Sequence, residues 1–283
     1  MITILFYGNC QLHAVYETLN LSHELYKVHN IPCWTTTTTQ EEFTNIVRIC
    51  DIIVTQPIQD KYRDLDYLNT KYIMEHASKK CKIIIFDSCH FDFYYFDLTY
   101  TTFEENSLKK PIDYHYHKMM QYYREEKSQE TYLKEIVENK ELKTKEELEA
   151  IAEASLQELQ KRFHKTKEKY DQENIYLITI HDYVKNNYKE KLLFYSMNHP
   201  TKYVIQYICE EICKIAGWSN SINYNHDILS NPKCILYKCV QNAVNFDVEK
   251  HTPFIFIPEI GNKKNYVDIT NLYYETYKEI GFT

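Results

Sequence analysis

A thiol, an imidazole and an amide stand out as groups able to run acyl chemistry: Cys10 in "YGNCQ", His199 in "NHPT" and Gln56 in "TQP". A cysteine thiolate attacks carbonyl carbon, a histidine moves the proton, and an amide N–H holds the oxyanion that forms. Gly8 sharpens the first motif. The chain has only four glycines in 283 residues, far below the usual ~7%, and one of them sits directly before Asn9 and Cys10. A residue without Cβ lets the backbone turn tightly and lets a ligand come close. The competing reading of Cys10 is a small apolar thiol packed under a sheet, in a chain with nine cysteines. His199 has a plain alternative too: helix punctuation, with Asn198 as cap and Pro200 in the first turn. A further polar run, Asp87–Ser88–Cys89–His90, offers groups to orient a base, or else satisfied polar groups in a tyrosine-rich loop.

These side chains need a scaffold. "ITILFY" (2–7), "DIIVT" (51–55) and "KIIIF" (82–86) are rich in β-branched and aromatic residues and do not alternate with polar ones. That pattern predicts strands buried on both faces of a parallel sheet. "ELYKVH" (24–29) is a weaker strand candidate. Residues 10–20 and 40–49 have helical spacing, the second starting near Thr39 or Gln40. Strand alternating with helix predicts an α/β fold with a doubly wound, mostly parallel sheet flanked by helices. Ligands bind such sheets beyond the carboxyl ends of the strands. Gly8–Gln11, Thr55–Pro57 and Asp87–His90 all fall there. A cysteine in the first turn of a helix faces unpaired N–H groups and the positive dipole end, which predicts a lowered thiol pKa.

The segment 114–172 is dense in Glu and Lys and has neither Pro nor Gly. Thr144 with Glu147 makes a capping box, and Leu148, Ile151, Leu156, Leu159 and Phe163 follow at roughly helical spacing. This predicts a long inserted helical hairpin of two helices, 114–139 and 145–171, whose charges read as solvated faces. The chain then divides into an α/β core part over 1–113, the hairpin over 114–172, and a second core part with the C-terminal region over 173–283. In that last part "IYLITI" (175–180) fits strand or helix, and "KLLFYSM" (191–197) reads as a strand. A helix follows "NHPT" to about Ala216, with Pro200 in its first turn and Gly217 closing it. "CILYKCV" (234–240) and "FIFIP" (254–258) read as strands or buried extended segments, before a last helix near 270–280.

Composition excludes several classes. Hydrophobic residues at 44% and charged residues at 26% describe a soluble folded protein rather than a disordered one. A net charge of −7 argues against a nucleic-acid binder. "MITILFY" lacks the basic start of a secretory leader, and no apolar run approaches the roughly 20 residues of a membrane span. The cysteines form no CxxC pair, so neither a zinc site nor a disulfide framework is predicted, and the expected compartment is the cytoplasm.

Five motifs, "GNCQ" (8–11), "TQPIQDKYR" (55–63), "HFDFYY" (90–95), "PIDYH" (111–115) and "NHPTKYV" (198–204), occur in an order that resembles the WcbI-type polysaccharide biosynthesis proteins. The resemblance spans roughly residues 2–216. Members of that family are regarded as coenzyme A-binding acetyltransferases of capsular sugars. Their motif arrangement is similar to that of SGNH hydrolases, in which a serine follows the first strand and a late histidine precedes a proline. The resemblance therefore implies an SGNH- or flavodoxin-like sheet, with Cys10 as nucleophile, His199 as base and Gln56 as oxyanion donor beside the N–H groups of residues 10 and 11. It matches His90 and Asp92 to a His-Pro-Asp motif whose proline is Phe91 here. Around the coenzyme it implies Gly8, Asn9, Gln11, Lys61, Tyr62, Arg63, Asn198 and Lys202. Acetyl-CoA would be the donor substrate and a sugar or nucleotide sugar the acceptor, and no metal is implied. An SGNH-type aspartate three residues before the histidine would be Ser196, so the carboxylate partner of His199 stays open between Asp87 and Asp92. Two other readings stay open beside acetyl transfer. One is a thiol-dependent SGNH-like esterase or carbohydrate deacetylase. The other is a non-catalytic protein whose tyrosine-rich loops stack on glycans.

Overall fold

The computed structural model describes residues 1–35, 38–100, 111–170, 172–219, 222–258 and 261–282. Along the chain run β1 (Ile2–Gly8), α1 (Cys10–Thr18), β2 (Tyr26–Pro32), α2 (Gln40–Ile49), β3 (Ile52–Thr55), α3 (Thr70–His76) and β4 (Lys82–Phe86). Then come β5 (Leu98–Tyr100), β6 (Tyr114–Tyr116), α4 (His117–Arg124), α5 (Gln129–Tyr132) and the long α6 (Lys145–Lys169). The chain closes with β7 (Ile175–Ile178), α7 (His181–Asn187), α8 (Lys202–Ala216), α9 (Lys238–Gln241), β8 (Phe254–Ile257), β9 (Gly261–Lys264) and α10 (Tyr266–Glu279).

By contacts the described chain falls into two compact units. The first comprises residues 1–89, 157–185 and 200–229. It holds a five-stranded parallel sheet in the order β2-β1-β3-β4-β7, the α/β architecture that the alternation of apolar runs predicts. Leu5, Tyr7, Ile53, Ile83 and Ile85 point to one face, where Phe43 and Val47 of α2 and Ile73 of α3 complete a buried cluster. On the other face α8 packs on α1, β4 and β7. Strands covered on both faces have no solvent side, which is why β1, β3 and β4 carry unbroken Ile, Val and Phe. Thr39 caps α2 in a reciprocal box with Glu42, and Gly217 closes α8 in the left-handed conformation at φ 76°. Pro200 lies before α8 rather than in its first turn, since Thr201 is the N-cap.

The second unit comprises residues 90–156, 186–199 and 230–283. It carries two antiparallel pairs, β5–β6 and β8–β9, around a core rich in buried tyrosines such as Tyr94, Tyr116, Tyr132, Tyr273 and Tyr277. Here the chain departs from two expectations. The helix expected over 114–139 is broken: Tyr114–Tyr116 pair with Leu98–Tyr100, and Glu126 takes a left-handed φ of 53° after α4. Ser128 then caps a fresh start at α5 by accepting from the Thr131 N–H. The strand expected over 191–197 is absent among the described strands. Tyr195 N–H instead reaches His199 O at 2.7 Å, and Tyr195 O accepts from Cys234 N–H at 2.7 Å. Of the 234–240 run, residues from Lys238 onward turn into α9. The capping box at Thr144 and Glu147 forms as read, and α6 extends for 25 residues.

Candidate active site

Register brings the strand ends level. Gly8 pairs with Pro32, Tyr7 with Thr55, Thr55 with Ile85, and Phe86 with Ile178. The residues next in line, Asn9, Cys33, Gln56 and Asp87, therefore share one edge of the sheet. The chain leaves β1 toward β2 on one side and returns to β3 on the other. That reversal makes the crevice between the ends of β1 and β3 the topological switch point, where doubly wound sheets bind ligands.

Cys10 stands in that crevice as the first residue of α1, half-buried. Asn9 is the N-cap, its side chain accepting from the Gln11 N–H at 2.9 Å. The helix start does act on the thiol: the N–H groups of Gln11 and Cys10 pull its pKa down. Burial outweighs them, and Cys33 adds to it, so the thiol is held above its ordinary value rather than below it. This corrects the direction expected from the helix dipole, because a dipole argument counts only local groups while desolvation depends on the surrounding protein. A thiol held up in this way relies on a base to become a nucleophile. All nine thiols are free, and the other eight are buried.

The amides beside it hold the edge together. Gln56, only 2% exposed, accepts from the Asn9 N–H at 3.0 Å and donates to Gln11 Oε1 at 3.2 Å. Gln11, equally buried, accepts from the Cys89 N–H at 2.8 Å and donates to Cys89 O at 2.9 Å. Two glutamines thus tie the ends of β1, β3 and β4 into one hydrogen-bonded strip. Gly8 serves the same strip. A Cβ there would lie 2.8 Å from Gln56 Oε1 and 2.9 Å from Leu12 Cδ2, so the close approach that requires glycine is by Gln56 and the first turn of α1. Neither a tight turn nor a ligand is what demands it.

Beside this strip lies a cavity of about 340 Å³ walled by Asn9, Cys33, Gln56, Tyr62 and Ser88, among others. The Cys33 thiol donates to the Tyr62 hydroxyl at 3.6 Å. Tyr62 is flanked by strained backbone: Lys61, Arg63 and Asp64 take φ of 56°, 57° and 60°, a region that disfavours residues with a Cβ. The Arg63 guanidinium donates to Trp34 O and so braces this loop against the one after β2. Asn9, Gln56 and Tyr62 thus line one cavity, Cys10 follows Asn9 in the chain without lining it, Gln11 is buried, and Lys61 is exposed on the loop. Lys202 starts α8, its N–H bonded to Asp227 at 3.3 Å.

The remaining predicted residues belong to the second unit. His90 Nε2 and Asp92 Oδ1 are 2.8 Å apart, and Asp92 Oδ2 accepts from Ser155 Oγ at 3.4 Å. His90 and Asp92 therefore form an imidazole–carboxylate pair in spite of Phe91, which is fully buried between them. His199 is set by a turn. Ser196 Oγ accepts from the N–H groups of Asn198 at 3.4 Å and His199 at 3.2 Å, and Tyr114 packs edge-on to the imidazole at 5.7 Å. Tyr114 also donates to Asn198 Oδ1 at 2.5 Å. Where an SGNH-type carboxylate would stand, Ser196 builds the turn.

One group of residues escaped sequence reasoning. Arg162, Lys165, Thr166 and Lys169 recur at helical spacing on one face of α6, and in the first unit that face meets Asp87 at the end of β4. Thr166 Oγ1 donates to Asp87 Oδ1 at 2.8 Å. Burial raises the Asp87 carboxyl to about 6, with Thr166 and Arg162 pulling the other way.

A parallel sheet ordered 2-1-3-4-7, with a thiol on a helix start at its switch point, defines a doubly wound α/β protein, an architecture that in general binds ligands at that crevice. The chain belongs to the WcbI family of polysaccharide biosynthesis enzymes, whose family model matches residues 3–221. Its fold is similar to a solved WcbI structure with a TM-score of 0.78 and 19% identity, covering 100% of this chain and 90% of that one. That structure is described as a polysaccharide biosynthesis enzyme in its native form, without a disulfide bond between coenzyme A and a cysteine. No curated protein matches the chain. Among the described residues no helix is long and apolar enough to cross a membrane.

Proposed function

We propose that this polysaccharide biosynthesis enzyme transfers an acetyl group from acetyl-CoA to an amino or hydroxyl group of a sugar, with Cys10 as nucleophile. The observation that carries the reading is the station of Cys10: partly exposed, first in α1 and at the switch point, whereas the other eight thiols are buried. Cys10 gives its proton to a general base and attacks the thioester carbonyl, forming a tetrahedral oxyanion. Collapse breaks the bond to the coenzyme sulfur, which leaves with that proton, and Cys10 carries the acetyl group. The acceptor then gives its proton to the base and attacks the acyl-cysteine, and the proton passes to the departing thiol. Exchange of one thioester for another is nearly neutral in energy, which suits a cysteine. The Gln11 N–H serves the Asn9 cap and the Gln56 amide serves the edge strip. Gln56 is accordingly a positioning residue for the oxyanion-binding backbone.

Calorimetric titration with coenzyme A and acetyl-CoA, followed by an assay of free thiol release with amino sugars, tests this reading. Binding with sugar-dependent thiol release supports it. Neither binding nor release sinks it, and release without a sugar would point to hydrolysis instead.

A further inference from the structure

The cavity between the end of β4 and α6, within the first unit, is separate in its chemistry from the thiol. It measures about 310 Å³ and shares Pro57, Ile58, Gln59 and Ser88 with the cavity beside Asn9, so the two adjoin along one wall. Its floor contains a carboxylate that the fold leaves incomplete. Asp87 is 5% exposed. Thr166 serves its Oδ1, while Oδ2 is buried with no hydrogen-bond partner. Buried polar atoms are nearly always paired, because an unpaired one costs about 1–3 kcal/mol and a charged one more. An unpaired acceptor kept in the wall of a cavity signals a donor that arrives with a ligand.

The cations around it say what else that ligand carries. Arg162, Lys165 and Lys169 reach the cavity from one face of α6. Glu158 engages Arg162 through Nε at 2.8 Å, which leaves the terminal amino groups of the guanidinium to a ligand. Lys169 is 3.6 Å from Asp60. Lys165 makes no ion pair among the described residues. Of the three cations only Lys165 is in excess of the partner carboxylates, and beside the open edge of the Arg162 guanidinium it sets a point charge next to a planar fork, a pairing that suits a phosphate.

We infer that this cavity binds a phosphate monoester with a hydroxyl or amino group beside the phosphate: Arg162 and Lys165 hold the phosphate, and Asp87 Oδ2 accepts from the neighbouring donor. The volume is at the small end for ligand sites and suits a phosphorylated pentose or hexose. Two sources have that chemistry, the phosphorylated ribose of coenzyme A and a phosphorylated sugar acceptor. The inference deepens the acetyl-transfer reading and rests on it only in naming these sources.

Titration calorimetry on the full chain separates them, with two ligand pairs: coenzyme A against dephospho-coenzyme A, and glucosamine 6-phosphate against glucosamine. In at least one pair the phosphorylated member is expected to bind roughly tenfold more tightly or better. The double variant Arg162→Gln/Lys165→Gln is expected to erase that difference with little change in Tm, since both side chains are on the surface. Asp87→Asn is expected to weaken the phosphorylated member about tenfold while the protein stays folded. Discrimination in the first pair assigns the cavity to the coenzyme, and in the second to the acceptor. The inference is overturned if neither pair discriminates, or if discrimination survives the double variant. Glucosamine 6-phosphate binding without any acetyl-CoA binding would keep the cavity and sink the acetyl-transfer reading instead.

Discussion

Each unit buries an aspartate, and the two are treated differently. In the second unit Asp97, 7% exposed, is completed on every side. Tyr237 donates its hydroxyl to Oδ2 at 2.7 Å, and the Lys118 N–H reaches both oxygens at 3.2 and 3.0 Å. Tyr132 in turn bonds Tyr237 at 2.8 Å. Burial still raises the Asp97 carboxyl, but Tyr237 and Lys118 counter it. Asp87 in the first unit has one donor and a bare oxygen. The contrast teaches where to look for function in a chain full of buried polar groups. A completed network specifies a core, whereas an incomplete one at the carboxyl edge of a parallel sheet awaits a ligand.

Substitutions can break or sharpen this contrast. The largest effect is expected at Asp97→Ala, which strands the Tyr237 hydroxyl and the Lys118 N–H; a loss of about 3 kcal/mol in urea unfolding is predicted. A loss below about 1 kcal/mol would mean that Asp97 holds nothing together. Next comes Gly8→Ala. Its methyl would press on a glutamine already fixed by two hydrogen bonds, and overpacking of this kind costs about 2 kcal/mol. Unchanged stability would show that the strip yields easily and cannot position Cys10.

The smallest effect has the opposite sign. The folded Asp87 carboxyl titrates near 6 against an ordinary 3.8, so the folded state holds its proton more tightly than the unfolded chain does. The stability this contributes is fully present below about pH 4 and fades as pH rises through about 6, a span worth at most roughly 3 kcal/mol. Asp87→Asn should flatten that part of the pH profile and raise Tm near neutral pH, by about 1 kcal/mol in stability once the new buried N–H is counted. A destabilised Asn variant with the pH slope intact would show that Asp87 is a completed structural group like Asp97.

How much of this was legible in the sequence depended on whether a feature is periodic. β1, β3 and β4 were readable because strands covered on both faces must be continuously apolar, and α2 because residues 40–49 have helical spacing with a start near Thr39 or Gln40. The elbow at Gly8–Cys10 was readable as a place, but its reason was not: the atom that forbids a Cβ there belongs to Gln56, distant in sequence. Residues 191–197 look like a strand because they are buried, yet burial alone does not supply a pairing partner. The basic face of α6 was hidden for a related reason. Arg162, Lys165 and Lys169 have the same spacing a solvated face would have, and only the end of β4 distinguishes the two. The thiol pKa was misjudged because the helix start is local and the desolvation is not.

The central claim is that Cys10 carries the acetyl group. Intact-mass measurement after brief mixing with acetyl-CoA, with and without a later chase by amino sugar, tests it directly. The account predicts a gain of one acetyl group that maps to Cys10, disappears in the chase and is absent in Cys10→Ser. Acetyl transfer to sugar at full rate by Cys10→Ser, with no acylated protein at any time, would contradict it.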